Sequence, residues 1–216
     1  MSRAARVSGV CSGTALLLAF TGTTAAAAPH APRVERVSTA ADGTQADGPP
    51  NGAAISADGR HVAFTSTAPS FGCARFTPCL LVKDLDTGAL EKAAEHATAP
   101  SLSVDGRKVA FQRGRDVHVR DLDTGITNRV KGAQPSLAGD GTRVAYTVGG
   151  AVYLLELATG ERQLISVDCW GGRGDLPAGK PSVNADGTVV AFESASPDLV
   201  EGDTNGVSDV FLRTVQ

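Results

Sequence analysis

"PSLSVDGRKVAF" (Pro100 to Phe111) decides the fold, because the chain carries it more than once. "PSLAGDGTRVAY" begins at Pro135, "PSVNADGTVVAF" at Pro181, and a looser copy, "AAISADGRHVAF", at Ala53. The Asp-Gly pairs fall at Asp58, Asp105, Asp140 and Asp186, so successive copies are 47, 35 and 46 residues apart. Self-similarity on this scale marks a repeat architecture, in which one unit cannot bury its own apolar faces and must stack on its neighbours.

Local chemistry gives the unit. "PSLS" reads as a short strand, and Asp-Gly supplies a tight hairpin turn. "KVAF" returns with apolar residues on both faces, as a strand sandwiched between sheets must. "DVHVRDL" alternates Val117, Val119 and Leu122 as a third strand. Asp123-Thr124-Gly125 turns again, and "TNRV" makes a fourth. Four antiparallel strands in about 40 residues form one blade of a β-propeller. The reading is therefore an all-β propeller of about four four-stranded blades, near residues 49–94, 95–131, 132–168 and 181–216.

The ends of the repeat array bear on closure. "RVERVST" (Arg33 to Thr39) looks like a fourth strand without a blade, and the last copy ends at "DVFLRTVQ", a third strand without a fourth. Residues 33–39 are expected to complete the last blade and close the ring, hiding two open edges together. The alternative is an open arc from a shortened ancestor, finished by a second copy of the chain.

The pattern "PSLSVDGRKVAF…DVHVRDLDTG" resembles the TolB-like, WD-like β-propeller repeat, from about Arg33 to Gln216. The last copy, "FESASPDLVEGDTNGVSDVFLR", is similar to a variant common in secreted bacterial proteins. The resemblance implies the fold and little about the task, since such proteins range from periplasmic interaction scaffolds to non-catalytic domains of prolyl-peptidase-like hydrolases. The chain departs from the TolB pattern in having fewer blades and no separate second domain, which puts a TolB-type role in envelope integrity in doubt.

Outside the repeat, residues 1–28 read as a secretory signal and residues 29–216 as the propeller. Arg3 and Arg6 give a basic start, "ALLLAF" (Ala15 to Phe20) a short apolar centre and "TTAAAAP" small residues for cleavage near Ala27. That apolar run is too short to span a bilayer, and Cys11 precedes it instead of closing it as a lipid-anchor site would. A secreted or cell-envelope protein is expected. Losing two of the 20 Lys and Arg leaves 18 against 23 acids, moving the formal charge from −3 to −5. An acidic product lacks the basic footprint that nucleic acid requires, and nothing favours insertion into a membrane. Of the remaining cysteines, Cys73 and Cys79 suit a disulfide in an oxidising compartment. Cys169 is left unpaired or in exchange with one of them. A metal site at the cysteines is the competing reading, but no CxxC pair or nearby histidine supports it.

The candidate chemistry is sparse. The turn aspartates Asp58, Asp105, Asp140 and Asp186 are expected to cap their own turns, because equivalent positions stand apart around a ring. "EGDTNGVSD" (Glu201 to Asp209) places Asp203, Asn205 and Asp209 around Gly206 in a spacing similar to calcium loops, although no bidentate Glu follows. A hydrogen-bonded loop explains it equally well, and no other cofactor is implied. "DCWGGRGD" (Asp168 to Asp175) holds the only Trp. Trp170, with Arg173 and Asp175, would stack on a sugar or anchor a protein if exposed. Packing of Trp170 between blades is the commoner environment, and Arg-Gly-Asp as an adhesion motif is a chance match. No G-x-S-x-G or H-E-x-x-H occurs, and His30, His61, His96 and His118 sit in unrelated contexts.

The expectation is a secreted, non-catalytic propeller that binds a protein or cell-wall glycan. Its binding face would be built by the insertions Ser66–Pro78, Cys169–Lys180 and Ala195–Asp209. The alternatives are a lyase-like or hydrolase-like enzyme using the central channel, and a truncated propeller without selected activity.

Overall fold

The period of the Asp-Gly turns is the period of the sheets. In a computed structural model that describes residues 34–215, the four repeated Asp-Gly pairs at Asp58, Asp105, Asp140 and Asp186 each join the first two strands of a new antiparallel sheet. Internal contacts divide the chain into Met1–Glu35 and Arg36–Gln216, and the sheets belong to the second unit. The signal-peptide reading of residues 1–28, Cys11, His30 and Arg33 lie outside the described residues.

Blade one holds β1 (Pro50–Ile55), β2 (His61–Ser66), β3 (Cys79–Asp84) and β4 (Leu90–Glu95). Blade two holds β5 (Thr98–Leu102), β6 (Lys108–Arg113), β7 (Asp116–Asp121) and β8 (Thr127–Lys131). Blade three holds β9 (Ala133–Leu137), β10 (Arg143–Val148), β11 (Ala151–Glu156) and β12 (Arg162–Leu164). Blade four has three strands: β13 (Ala178–Val183), β14 (Val189–Ser194) and β15 (Asp209–Thr214).

Alternation along each second strand feeds two neighbouring interfaces. Val109 and Phe111 of β6 join Ala63, Leu80 and Val82 of blade one, while Ala110 joins Val144, Tyr146 and Leu155 of blade three. Ala145, Val152 and Leu154 of blade three then meet Val190 and Phe192 of blade four. Each fully buried Val or Phe contributes about 1.5–3 kcal/mol relative to exposure, so stacking makes a set of marginal sheets cohere. Backbone bonds stitch the blades at the turn end: Asp58 N–H donates to Val104 O (3.1 Å), Val104 N–H to Gly139 O (2.7 Å) and Asp140 N–H to Ala185 O (2.8 Å).

The ends differ from the expected closure. Residues 34–38 form no strand, and β15 pairs with β14 alone among the described residues. Val37, Ala40 and Ala46 pack instead on Val62, Phe64 and Leu81 of blade one. The buried Lys83 fixes them there, its Nζ donating to Thr39 O (2.8 Å) and Ala40 O (3.2 Å). Among the described residues no blade precedes blade one on that face, and the segment next to it in sequence covers it with little loop-closure entropy. The opposite end is bare: Val210 and Leu212 of β15 are each 73% exposed, and no buried cluster joins blade one to blade four.

Candidate binding face

Up-and-down sheets put the Asp-Gly turns of all four blades and the Thr-Gly turns of the first three at one end. The connections between second and third strands, and those between blades, lie at the other end. All three long insertions fall on that second end, as the sequence implied. The turn aspartates are occupied structurally. Asp58 Oδ1 accepts from Ser56 Oγ and from Arg60 N–H, and the Ser56 hydroxyl chiefly holds its carboxyl below the usual range. Asp105 Oδ1 takes Ser103 Oγ and Arg107 N–H, Asp140 takes Thr142, and Asp186 takes Thr188. They cap four separate turns.

At the loop end, a cleft of about 710 Å³ lies between blades two and three, lined by Gln112, Arg115, Lys131, Gln134, Thr147 and Gly150 among others. Its floor is made by an unusual backbone feature. Six residues before each Asp-Gly pair the chain is left-handed: Gly52 (φ 55°), Ala99 (φ 51°), Gln134 (φ 53°) and Lys180 (φ 49°). The register of each first strand slips around this point, which makes it a β-bulge repeated in every blade. Side chains wire the bulges together. Gln112 Oε1 accepts from Gln134 N–H (3.2 Å), and Gln134 Oε1 from Lys180 N–H (2.9 Å). One step inward, Ser101 Oγ accepts from Leu137 N–H (3.0 Å) and Ser136 Oγ from Val183 N–H (3.1 Å). The serine of the "PS" pair in the second and third copies is thus an inter-blade clasp, a role that the residue types alone did not disclose.

The cleft wall is basic and only partly neutralised. Asp116 is buried below β8 and takes Arg129 Nη2 (2.6 Å) and Lys131 Nζ (2.9 Å), with Lys131 first in holding its carboxyl below the usual range. Neither Arg115 nor Arg173 has a carboxylate within ion-pair distance among the described residues. Arg173 stands over the cleft rim. A Cβ on Gly150 (φ 76°) would come within 3.0 Å of its Nη2, so glycine there leaves room for the guanidinium.

Trp170 is 81% exposed, which corrects the expectation that it packs between blades. The reason is local. Asp168 Oδ1 accepts from Trp170 N–H (2.9 Å) and Gly172 N–H (2.7 Å), and a bridge between Val167 and Arg173 closes the base of the turn. The indole is left at the tip. The loop is braced against the last insertion, with Cys169 N–H on Asp198 O, Asp175 N–H on the Asp198 carboxylate and Leu176 N–H on Ser196 Oγ. Asp175 itself is exposed and makes no ion pair with Arg173 among the described residues. Cys169 is free and exposed.

Cys73 and Cys79 form a disulfide that closes the first insertion over Phe64 and Phe71. In the last insertion, Asn205 Oδ1 accepts from Val207 N–H (3.0 Å) and its Nδ2 donates to Asp209 (2.9 Å), while Asp203 lies in the same cleft. Among the described residues, no group of three His, Cys, Asp or Glu is placed to hold a metal ion. The histidines do not converge: His118 stacks on Phe111 at 5.3 Å in blade two, where burial lowers its pKa, and His61 lies 3.9 Å from Asp84 in blade one.

Four antiparallel sheets packed face to face, with their hairpin turns at one end and the long insertions at the other, define a β-propeller. The solved structures that it matches carry the same fold. One is a TolB-like protein from Agrobacterium tumefaciens, at 17% identity and TM-score 0.54 over 76% of this chain and 61% of that one. Another is the β-propeller domain of the Trilobed protease from Pyrococcus furiosus, which has an open velcro topology, at 14% identity and TM-score 0.51 over 80% and 59%. A third is a prolyl endopeptidase, at 14% identity and TM-score 0.53 over 77% and 28%. The chain therefore spans about three fifths of the first two. No protein-family model and no curated protein matches it.

Proposed function

We propose that this chain is a secreted, non-catalytic propeller that binds a protein or a cell-wall glycan on its loop end. The observation that carries the reading is Trp170, 81% exposed on a turn whose amides are tied down by Asp168. An indole carried into water on a braced turn offers a large aromatic face, with only two side-chain torsions to order, on which a sugar ring or an apolar side chain stacks. On the same loop end, Arg115 in the cleft and Arg173 at its rim add planar donors for carboxylates or hydroxyls. An extracellular or envelope location is supported by the Cys73–Cys79 disulfide and by the basic-apolar-small pattern of the first 28 residues. Against catalysis, Ser101 and Ser136 of the first strands of blades two and three accept from amides of the next blade.

Sedimentation with purified cell-wall glycan and pull-down from the envelope fraction test this, with the mature chain and its Trp170→Ala variant in parallel. One dominant partner, bound at least tenfold less by the variant, is the expected result. Equal capture by both proteins, or no specific capture by either, removes the reading.

A further inference from the structure

In blades one to three the fourth strand lays a cation against the third. Lys92 stands opposite Leu81, Arg129 opposite His118, and Arg162 opposite Leu155, with its guanidinium 4.5 Å from the Tyr153 ring centroid. Blade two shows the arrangement most fully. Arg129 and Lys131 bracket the Asp116 carboxylate, and Val130 between them lies opposite Val117 and joins the cluster shared with blade three. A basic–apolar–basic triplet thus sits against Asp116, Val117 and His118.

Blade four presents the same third strand with its fourth-strand position open. Asp209, Val210 and Phe211 pair with Ser194, Glu193 and Phe192 as Asp116, Val117 and His118 pair with Arg113, Gln112 and Phe111. The ring pairs match as well, Phe192–Phe211 at 5.7 Å and Phe111–His118 at 5.3 Å. What differs is cover: Val117, 1% exposed, is buried by blade three together with Val130 of β8, whereas Val210 is 73% exposed and no described strand pairs with the outer edge of β15. Beside Phe211 opens a cleft of about 290 Å³ lined by Glu201, Asp203 and Asp209, none of which makes an ion pair among the described residues. An unpaired edge offers main-chain hydrogen bonds, exposed Val210 offers apolar area, and unpaired carboxylates over an aromatic ring attract a cation.

We propose that the outer edge of β15 is a docking site for an extended segment of a partner protein bearing a basic–apolar–basic triplet, which completes blade four as β8 completes blade two. The basic residues lie over Asp209 and Phe211, and the apolar one lies beside Val210. This site is separate from the Trp170 loop and stands or falls without it.

The test uses the mature chain and a labelled synthetic peptide with the sequence of Gly125–Gly132, read by fluorescence anisotropy. A second peptide carries Glu at both basic positions. Saturable binding of the first peptide is expected, weakened at least tenfold by the Glu peptide or by Asp209→Lys, and weakened by salt. Asp209→Asn, which keeps the side-chain shape, is expected to lie between. Bound peptide is expected to slow amide exchange in β15, and Trp170→Ala is expected to bind it like the parent. No saturable binding at millimolar peptide, equal binding to the Asp209→Lys chain in its folded form, or protection confined to other strands overturns the proposal. So does a calcium-induced rise in melting temperature, lost in Asp209→Asn, from a chain that ignores the peptide. Self-association unaffected by peptide or by Asp209→Lys overturns it too, since the edge is then taken by a second copy.

Discussion

The left-handed bulge at the start of every blade is open to a direct thermodynamic test, because one of its four positions is glycine and the others are not. At Gly52 (φ 55°) an added Cβ would meet only Pro100 Cδ at 3.6 Å, an ordinary contact, so steric room does not oppose alanine. The remaining cost of Gly52→Ala is the left-handed backbone, about 1–2 kcal/mol, less roughly 0.4–1 kcal/mol regained from the stiffer unfolded chain. A net destabilisation of about 1 kcal/mol follows, which in a chain of this size lowers the melting temperature by roughly 2–4 °C. At Ala99 (φ 51°), exposed on the equivalent position, Ala99→Gly reverses the sign and stabilises by about the same amount. Gln134→Gly removes the same strain but also the acceptor of the Lys180 amide, worth about 1 kcal/mol, and is expected to be close to neutral. Urea unfolding of the three variants, with unchanged slopes, gives the comparison. An ordinary strand position loses roughly 0.5–1 kcal/mol on Ala→Gly. If Ala99→Gly loses stability in that way, the repeated left-handed bulge is wrong.

Two further perturbations probe other parts of the fold. Reducing Cys73–Cys79, or replacing both with serine, releases a loop with a sequence separation of 6 residues. Thermal unfolding with and without reductant is expected to show a loss of about 2 kcal/mol from loop entropy. Asp116 has a folded pKa below its ordinary value of 3.8, because Lys131 and Arg129 hold it ionised. Its contribution is therefore complete above the unfolded value and is lost as pH falls through the folded one. Asp116→Asn is expected to flatten the acid limb of stability below about pH 4 relative to the parent, measured by urea unfolding across that range. An unchanged acid limb places the stabilisation elsewhere.

The site is less legible in the sequence than the fold, and particular residues show why. Cys73 and Cys79 stand close along the chain, so their disulfide could be anticipated although the sequence keeps Cys169 as a competing partner, and the Ser/Thr–Asp turns could be read because their hydrogen bonds span only two residues. The bulges could not: Gly52, Ala99, Gln134 and Lys180 share no chemistry, and what makes them alike is the next blade's demand on the first strand. For Trp170 the sequence offers two readings, a binding residue if exposed and, more commonly, a side chain packed between blades. Asp168 decided otherwise by spending its carboxylate on the turn amides.

By itself the sequence determined the blades, since strand, turn and return strand are local events and their fourfold repetition forces sheets to share faces. It also determined that the loop insertions lie at one end, because antiparallel order fixes which connections fall together. Only the tertiary structure decided what covers the first and last faces. By pattern residues 33–39 suit an open edge in blade four, yet Val37, with Ala40 and Ala46, packs on the open apolar face of blade one. That choice depends on which contact closes the shorter loop and satisfies Lys83, and neither quantity is written in any one segment.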